Sequence, residues 1–579
     1  MLPSGAHRPA PCAPDPAASG PAILARSVSE DETPEQGEAA HRAHERRRLR
    51  ASTIIFAAAT ALSRVAGLVR EIFTAAVFST GTTYSAFVIA NQIPNLLRSL
   101  VADAALSAAF VPVFTDLDER GEHDRAWRVA GTVCSVILLV LGPLTVLAMV
   151  AAPWIVEPFV DNTFSASDVQ LTIQLARLLM PIVLILALSG VIVGILNSYG
   201  RFGAAAMAPV AWNAVILLSL VVAVWLFPED ARIWVYAVGM VVGTVVQAVL
   251  PVPWLRGLGG RLRLRAAWRD PKVREVFILM LPVTIALGLI NVQQFISALL
   301  AAHVNANVGA GFSHLQAGAG PAILDKAFRI YMLPQGIFSV AVSTVVFPTL
   351  ARMASRDDRA GFAATVDSGL RQILMLLVPS SIFVGLFAQP IVRVLYEHGN
   401  WTPPETRAVA LVLAAFAFGL TFNGLTLMLV RSLFSLRLTW LPTVASVLTL
   451  ATNLVVAISS YQTWGVLGIA FATSIANVVA VVVLYAMLAR RTDPLGTART
   501  VGVGLGTLVS AAIAVGIPFG IYELAWKPLL GTGFLAEAAA LAAAPAVAVP
   551  AYFWLGVRLH AVRPGLLRDL RRGRGRAPS

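Results

Sequence analysis

Nine cations fall within or at the ends of otherwise apolar runs of this chain: Arg64, Arg70, Arg98, Arg177, Lys326, Arg329, Arg371, Arg407 and Arg431. A charged side chain in hydrocarbon costs at least about 3 kcal/mol, so each must reach water, a counter-charge or a wet cavity. The first two belong to Ser63-Arg64-Val65-Ala66-Gly67-Leu68-Val69-Arg70. Six residues of ideal helix set them about 120° apart, so convergence on one ligand requires local unwinding, which Gly67 permits. Glu71 offers Arg70 a purely local partner. Arg98 follows Pro94-Asn95-Leu96-Leu97, with Asp103 five residues on. Asp325 and Arg329 are spaced i, i+4 on one helical face, where a salt bridge is the simplest outcome, and Lys326 adds a further cation.

Arg64, Arg70, Arg98, Lys326 and Arg329, set against Glu71, Asp103 and Asp325, leave an excess of two positive charges. A net positive cavity inside a membrane favours an anionic cargo, and guanidinium forks match the oxygens of a phosphate or diphosphate. A cation or proton antiporter would instead expose unpaired carboxylates.

Enzyme chemistry finds little footing. There is no G-x-x-x-x-G-K-[ST] loop to cradle a nucleotide. No H-E-x-x-H pair occurs, the eight histidines are scattered, and no metal site or cofactor is expected. His303, His314 and His398 read as loop residues. Cys12 and Cys134 are the only cysteines, so no disulfide framework follows.

What positions these residues is a membrane protein. Of 579 residues 57% are hydrophobic and 13% charged, and the mean hydropathy is +0.75, which excludes an ordinary soluble enzyme. The apolar runs are continuous rather than alternating, which argues against a β-barrel. Fourteen runs are long enough to span: 52–78, 84–115, 129–152, 169–196, 207–227, 233–254, 274–302, 321–350, 365–388, 405–433, 440–459, 465–489, 500–522 and 536–557. The expected class is an all-α integral membrane protein with 14 transmembrane helices.

Charge sidedness tests the count. With the N-terminal tail inside, 32 of the 44 Lys and Arg fall on inner segments, and only Arg232, Arg393 and Lys527 on outer ones. The asymmetry predicts an N-in, C-in orientation. It also accounts for most of the +13 net charge as a basic rim facing anionic phospholipid, so nucleic acid is not an expected partner. Residues 1–50, rich in Pro, Ala, Glu and Arg, read as a disordered cytoplasmic tail, and 558–579 as a basic one.

An internal repeat organises the rest. Phe110-Val111-Pro112 matches Phe347-Pro348, Ala152-Pro153-Trp154-Ile155-Val156 matches Gln389-Pro390-Ile391-Val392, and Pro209 matches Pro442, at offsets of 236, 237 and 233. Residues 51–254 and 255–499 therefore read as two pseudo-symmetric six-helix lobes, with 500–557 as two appended helices. Parallel repeats of this kind place a site between the lobes.

Ser63-Arg64-Val65-x-Gly67-x-x-Arg70, Pro94-Asn95-Leu96-Leu97-Arg98 with Asp103 and Ala109-Phe110-Val111-Pro112, Leu196-Asn197-Ser198-Tyr199-Gly200-Arg201-Phe202, and Arg329-x-x-x-Leu333-Pro334-x-Gly336-Ile337-Phe338 together resemble the MurJ (MviN) lipid II flippases of the MOP exporter superfamily. The resemblance covers roughly residues 52–490. It implies a cationic central cavity, a lipid-tail groove formed with the last two helices, and a cargo of undecaprenyl-pyrophosphate-linked disaccharide pentapeptide moved from inner to outer leaflet. Arg64, Arg70, Arg98 and Arg329 match the family's cavity arginines, and Asp103 an acidic position; Asp325, Lys326, Asn197 and Arg201 are secondary candidates. Three features depart from the family: Tyr84-Ser85-Ala86-Phe87 lacks an acidic residue, Ser297 stands where some members carry a sodium-binding carboxylate, and the helix that carries Arg431 has no Asp. The alternatives are a multidrug or polysaccharide-lipid exporter of the same superfamily, and a non-transporting scaffold that recruits cell-wall synthesis proteins through its basic tails.

Overall fold

The computed structural model describes residues 58–99, 103–159, 164–304, 318–438 and 440–559. The expected tails, 1–50 and most of 558–579, lie outside the described residues. Everything described is helix or connecting loop. That is the outcome the composition requires, because long apolar runs must satisfy their backbone groups internally when no water is at hand.

The first helix, α1, spans 58–78. It is followed by α2 (Thr82–Ser99), α3 (Asp103–Glu119), α4 (His123–Val156), α5 (Ala166–Leu179), α6 (Pro181–Ser198), α7 (Phe202–Leu226), α8 (Glu229–Val249) and α9 (Pro271–Ala302). The second half comprises α10 (Gly320–Pro334), α11 (Val340–Ser355), α12 (Arg359–Leu386), α13 (Ala388–Tyr396), α14 (Pro403–Ser435), α15 (Trp440–Trp464) and α16 (Val466–Ala489). Last come α17 (Thr497–Ile521), the short α18 (Lys527–Leu530) and α19 (Phe534–Arg558). Among the described residues, eleven helical stretches are long and apolar enough to cross a membrane. The surface agrees: Leu139, Val146, Trp225, Val455 and Leu505 are largely exposed around the bundle, as lipid-facing residues would be.

Three of the expected spans are interrupted. The run 169–196 divides at Met180 into α5 and α6, with Pro181 at the first position of α6, where its missing N–H costs nothing. The run 321–350 is α10 and α11 joined by a π-helical turn, Gln335–Ser339, directly after Pro334. A second such turn, Tyr522–Trp526, follows Pro518 in α17. In both, a proline removes a donor from the ladder, and the wider turn absorbs the lost bond. The run 84–115 is divided between α2 and α3, with 100–102 outside the described residues.

Packing follows the chain halves. One buried cluster joins residues of α10 to α16, including Tyr331, Phe362, Phe416 and Leu429. Two others join α2 to α8, around Phe87, Tyr236 and Leu179 and around Phe110, Phe114 and Trp127. The start of α9 (Val273, Val276, Met280) belongs to the second of these, so this helix leans on the first half even though it opens the second. The hairpin of α17 and α19 packs on α12 through Val378, Ala511, Ala514 and Tyr552, whose hydroxyl donates to Met375 O at 2.8 Å. Its far end is tied to α13 by an ion pair between Arg393 and the fully buried Glu537, which also accepts from the Tyr522 hydroxyl at 2.9 Å.

The end of the bundle carrying the α3–α4 turn has its own charge network. Lys272 lies 3.2 Å from Asp116, and Arg125 bridges Asp270 (3.1 Å) and Glu122 (2.9 Å). Asp270 caps α9 by accepting from Lys272 N at 2.9 Å.

Candidate functional site

A cavity of about 1180 Å³ opens between the two sets of helices. Its wall draws on α2, α8 and α9 from one side and on α10, α14 and α16 from the other. Arg70, Arg98, Arg329 and Arg431 line it, against the carboxylates of Glu71 and Asp325. The wall is therefore net positive. Between these charges stand amide side chains, among them Asn91, Asn95, Gln293, Gln294, Asn423 and Asn477.

The deep end of the cavity is a shared ion cluster. Arg70 is buried, its Nη2 2.6 Å from Glu71 Oε1, its Nη1 donating to Asn213 Oδ1 at 3.2 Å and its guanidinium 4.7 Å from the Trp212 ring centre. Glu71 is not held by Arg70 alone: Lys326 Nζ stands 3.4 Å from its second oxygen, and Arg329 Nε 3.8 Å from the first. Arg329 in turn pairs with Asp325 at 3.1 Å, the i, i+4 contact that spacing suggested. Two carboxylates thus serve three cations, with α1 supplying Arg70 and Glu71 and α10 supplying Asp325, Lys326 and Arg329. Arg329 is the cation of this group most open to the cavity, its side chain 40% exposed.

Lys326 stands behind this surface rather than on it. It is completely buried, donates to Thr74 Oγ1 at 2.7 Å and lies 4.4 Å from the Tyr84 ring centre. These contacts join α10 to α1.

The other sequence candidates separate. Arg98, in the last turn of α2, reaches the cavity and is exposed there. Arg64 is also exposed, and its guanidinium packs on the π-helical turn: a Cβ at Gly336 would come within 2.6 Å of its Nη1. Asp103 begins α3, and its side chain lies outside the described residues. Asn197 and Arg201 sit at the α6–α7 turn, away from the arginine cluster. Asn197 accepts the Gly200 amide through its carbonyl, and Arg201 donates to Trp254 O at 2.6 Å and so holds the loop after α8.

Beyond the cluster the cavity is shut. Glu405, in the first turn of α14, accepts from Thr80 N at 2.9 Å, from Thr80 Oγ1 at 2.5 Å and from the Ser79 hydroxyl, all in the α1–α2 turn. Its second oxygen accepts from Thr402 N (2.6 Å) and Oγ1 (2.8 Å), completing a capping box. Asn400 N donates to Ala76 O at 2.9 Å. Gly399, at φ +62°, lets the two turns meet, since a Cβ there would come within 2.4 Å of Ala76 O. Arg70 lies nine residues before Ser79, and Arg329 nine after Gly320, so both sit about 13 Å along their helices from this closed end.

Sequence reasoning missed Glu405, Arg431 as a wall residue, and the sharing of Glu71. The signal for Glu405 was the helix start Thr402-Pro403-Pro404-Glu405, which reveals a cap but not the turn it grips. Among the described residues no group of His, Cys, Asp and Glu side chains is placed to hold a metal ion.

This architecture has counterparts among solved structures. A lipid II flippase MurJ in an inward closed conformation superposes with a TM-score of 0.71 at 21% identity, over 90% of this chain and 100% of that one. An inward-facing multidrug resistance MATE family transporter gives 0.62 at 14% identity, over 76% and 97%. The fold is thus the one these two solved structures share. Within the sequence, residues 74–540 match the family model described as lipid II flippase MurJ. A probable lipid II flippase MurJ of Rhizobium tropici is 30% identical over 525 residues, 89% of this chain and 95% of that protein. One from Vibrio cholerae is 30% identical over 453 residues, 76% and 82%. The chain belongs to the MurJ family of lipid II flippases.

Proposed function

We propose that this protein carries lipid II, the undecaprenyl-pyrophosphate-linked disaccharide pentapeptide, from the inner to the outer leaflet of the bacterial cytoplasmic membrane by alternating access. It is a transporter and not an enzyme. The observation that carries the mechanism is the cavity wall, four arginines against two carboxylates in a chamber of about 1180 Å³ that is closed at the α1–α2 turn.

In this reading Arg70, Arg98 and Arg329 hold the diphosphate, each a fork of donors suited to its oxygens. Arg64, seated on the π-helical turn between α10 and α11, joins them as those helices move. Asp325 orients Arg329, and Lys326 keeps α1 and α10 together. The lipid tail, too apolar for the chamber, stays in the bilayer beside α17 and α19.

The finer architecture is part of the same reading. Adding α1, the α2–α3 pair and α9 to the eleven long apolar stretches makes fourteen spans, with both termini inside. Residues 51–254 and 255–499 form the two lobes and 500–557 the groove for the lipid tail. The sidedness of Lys and Arg supports the orientation, which sets the Glu405 latch on the outer side and opens the cavity inward. The membrane potential then bears on the cycle, at about 2.3 kcal/mol per charge per 100 mV. A cargo of organic cations, as in a multidrug exporter, is disfavoured by the sign of the wall.

The test is leaflet accessibility of lipid II in cells whose only flippase is this protein. Wild type should expose lipid II on the outer leaflet, and Arg70→Ala, Arg98→Ala, Arg329→Ala and Arg64→Ala should each abolish it. Normal exposure in all four single variants would defeat the clamp.

A further inference from the structure

We propose that Arg431 binds the carboxylate at the free end of the cargo's peptide arm, at a recognition site separate from the diphosphate clamp. The inference rests on the cargo assigned above and goes beyond it.

Arg431 belongs to the cavity face of α14. Asn423, Leu427, Val430, Arg431 and Phe434 all line the chamber, and their spacing of four, three, one and three is that of one helical face. Among the described residues its one hydrogen bond goes to Thr344 Oγ1 on α11, at 3.0 Å. Arg70 and Arg329 each have a carboxylate beside them. Arg431, among the described residues, has none within ion-pair distance, so its charge stands uncompensated. Phe434 and Phe347 line the same cavity.

Position gives the charge its meaning. Arg431 lies 26 residues after Glu405, about 39 Å along α14 from the closed end, and so roughly 26 Å nearer the open mouth than Arg70 and Arg329. A diphosphate held at the deep cluster cannot touch it. An extended five-residue peptide reaches about 17 Å, and the one sugar ring and linker that join the peptide to the diphosphate supply the remaining length. The amides of Asn95 and Asn423 line the intervening wall and provide donors and acceptors for hydroxyl and peptide groups. With the diphosphate anchored deep, the arm points to the mouth and ends near Arg431. A peptide's terminal carboxylate is the partner a guanidinium fork fits. A phospholipid phosphate of the inner leaflet is the competing occupant.

The experiment uses the full chain in nanodiscs and three ligands: lipid II, lipid II whose terminal peptide carboxylate is amidated, and undecaprenyl pyrophosphate without sugars or peptide. Wild type should bind the free acid about ten-fold or more tightly than the amide, the range of one charge-assisted hydrogen-bonded pair. Arg431→Gln should bind both equally, at the amide's affinity, and bind undecaprenyl pyrophosphate as wild type does. Arg431→Lys should recover part of the preference, which separates charge from packing, and Arg329→Ala should weaken all three ligands. A free-acid preference retained in Arg431→Gln overturns the proposal. So does an equal weakening of all three ligands in Arg431→Gln, which would assign the residue to phosphate, of cargo or of phospholipid. Failure of wild type to bind any of the three would sink the cargo assignment itself and this site with it.

Discussion

Glu405 accepts both the backbone amide and the hydroxyl of Thr80, at 2.9 and 2.5 Å, across 325 residues of sequence. The same carboxylate caps its own helix, so one side chain finishes α14 and bolts it to the α1–α2 turn. Glu405→Gln keeps the size of the side chain but loses the charge that makes each of these bonds worth about 1.5–3 kcal/mol instead of about 0.5–1.5 kcal/mol. The variant should spend more time open at that end. A cysteine placed at Asn95 and probed with an impermeant maleimide from outside should label roughly ten-fold faster in the variant; an unchanged rate would refute the latch.

Gly399→Ala should act in the same direction by a different cause. The new methyl would meet Ala76 O, and the left-handed backbone at this position disfavours a side chain by about 1–2 kcal/mol. The labelling assay should report the same increase without any change in charge, and wild-type behaviour would show that the two turns have slack.

Lys326 and Arg329 sit three residues apart and should fail differently. Removing the buried ammonium in Lys326→Met takes away the contacts that tie Glu71 and Thr74 of α1 to α10, at a cost of about 3 kcal/mol, read as a lower melting temperature in detergent. Arg329→Gln, on the open wall, should keep most of the stability and lose lipid II binding. Matching losses in both variants would mean that the two residues are not divided into clamp and contact.

The network at the α3–α4 end predicts a pH signature. Hydrogen bonding from Lys272 holds the Asp116 carboxyl below its ordinary value, and bonding from Arg125 does the same for Asp270. A carboxyl whose value is lowered by folding contributes stability above its unfolded value, near 4, and loses it as pH falls through the folded one. Melting temperature should therefore be insensitive to these groups from pH 5 to 8. Asp116→Asn and Asp270→Asn should be less stable than wild type across that window, and the difference should close below about pH 4. A difference that widened on acidification would show the pairing to be wrong.

Much of this was legible in the sequence, and the failures share a cause. Runs of apolar residues set out the long helices, and the i, i+4 spacing of Asp325 and Arg329 foretold a real contact. The positive excess of the cavity was also readable, although its members changed: Lys326 withdrew behind the wall and Arg431 joined it. What could not be read was any contact between helices far apart in the chain, such as Glu71 with Lys326 or Glu405 with Thr80. Periodicity places a residue on a face, and only packing decides what that face meets. The interruptions at Pro181 and Pro334 were likewise hidden, because a proline in an apolar run marks a weak point without saying whether a kink or a wider turn will form there.

The carboxylate of Glu71 is held jointly by side chains rooted in α1 and in α10. Drawing those two helices apart therefore means parting opposite charges where little solvent screens them, and an empty carrier resists doing so. A passenger that brings its own negative groups supplies each departing cation with a substitute. The same contact that steadies the vacant molecule thus becomes a check against idling, since rearrangement is easiest when there is something aboard.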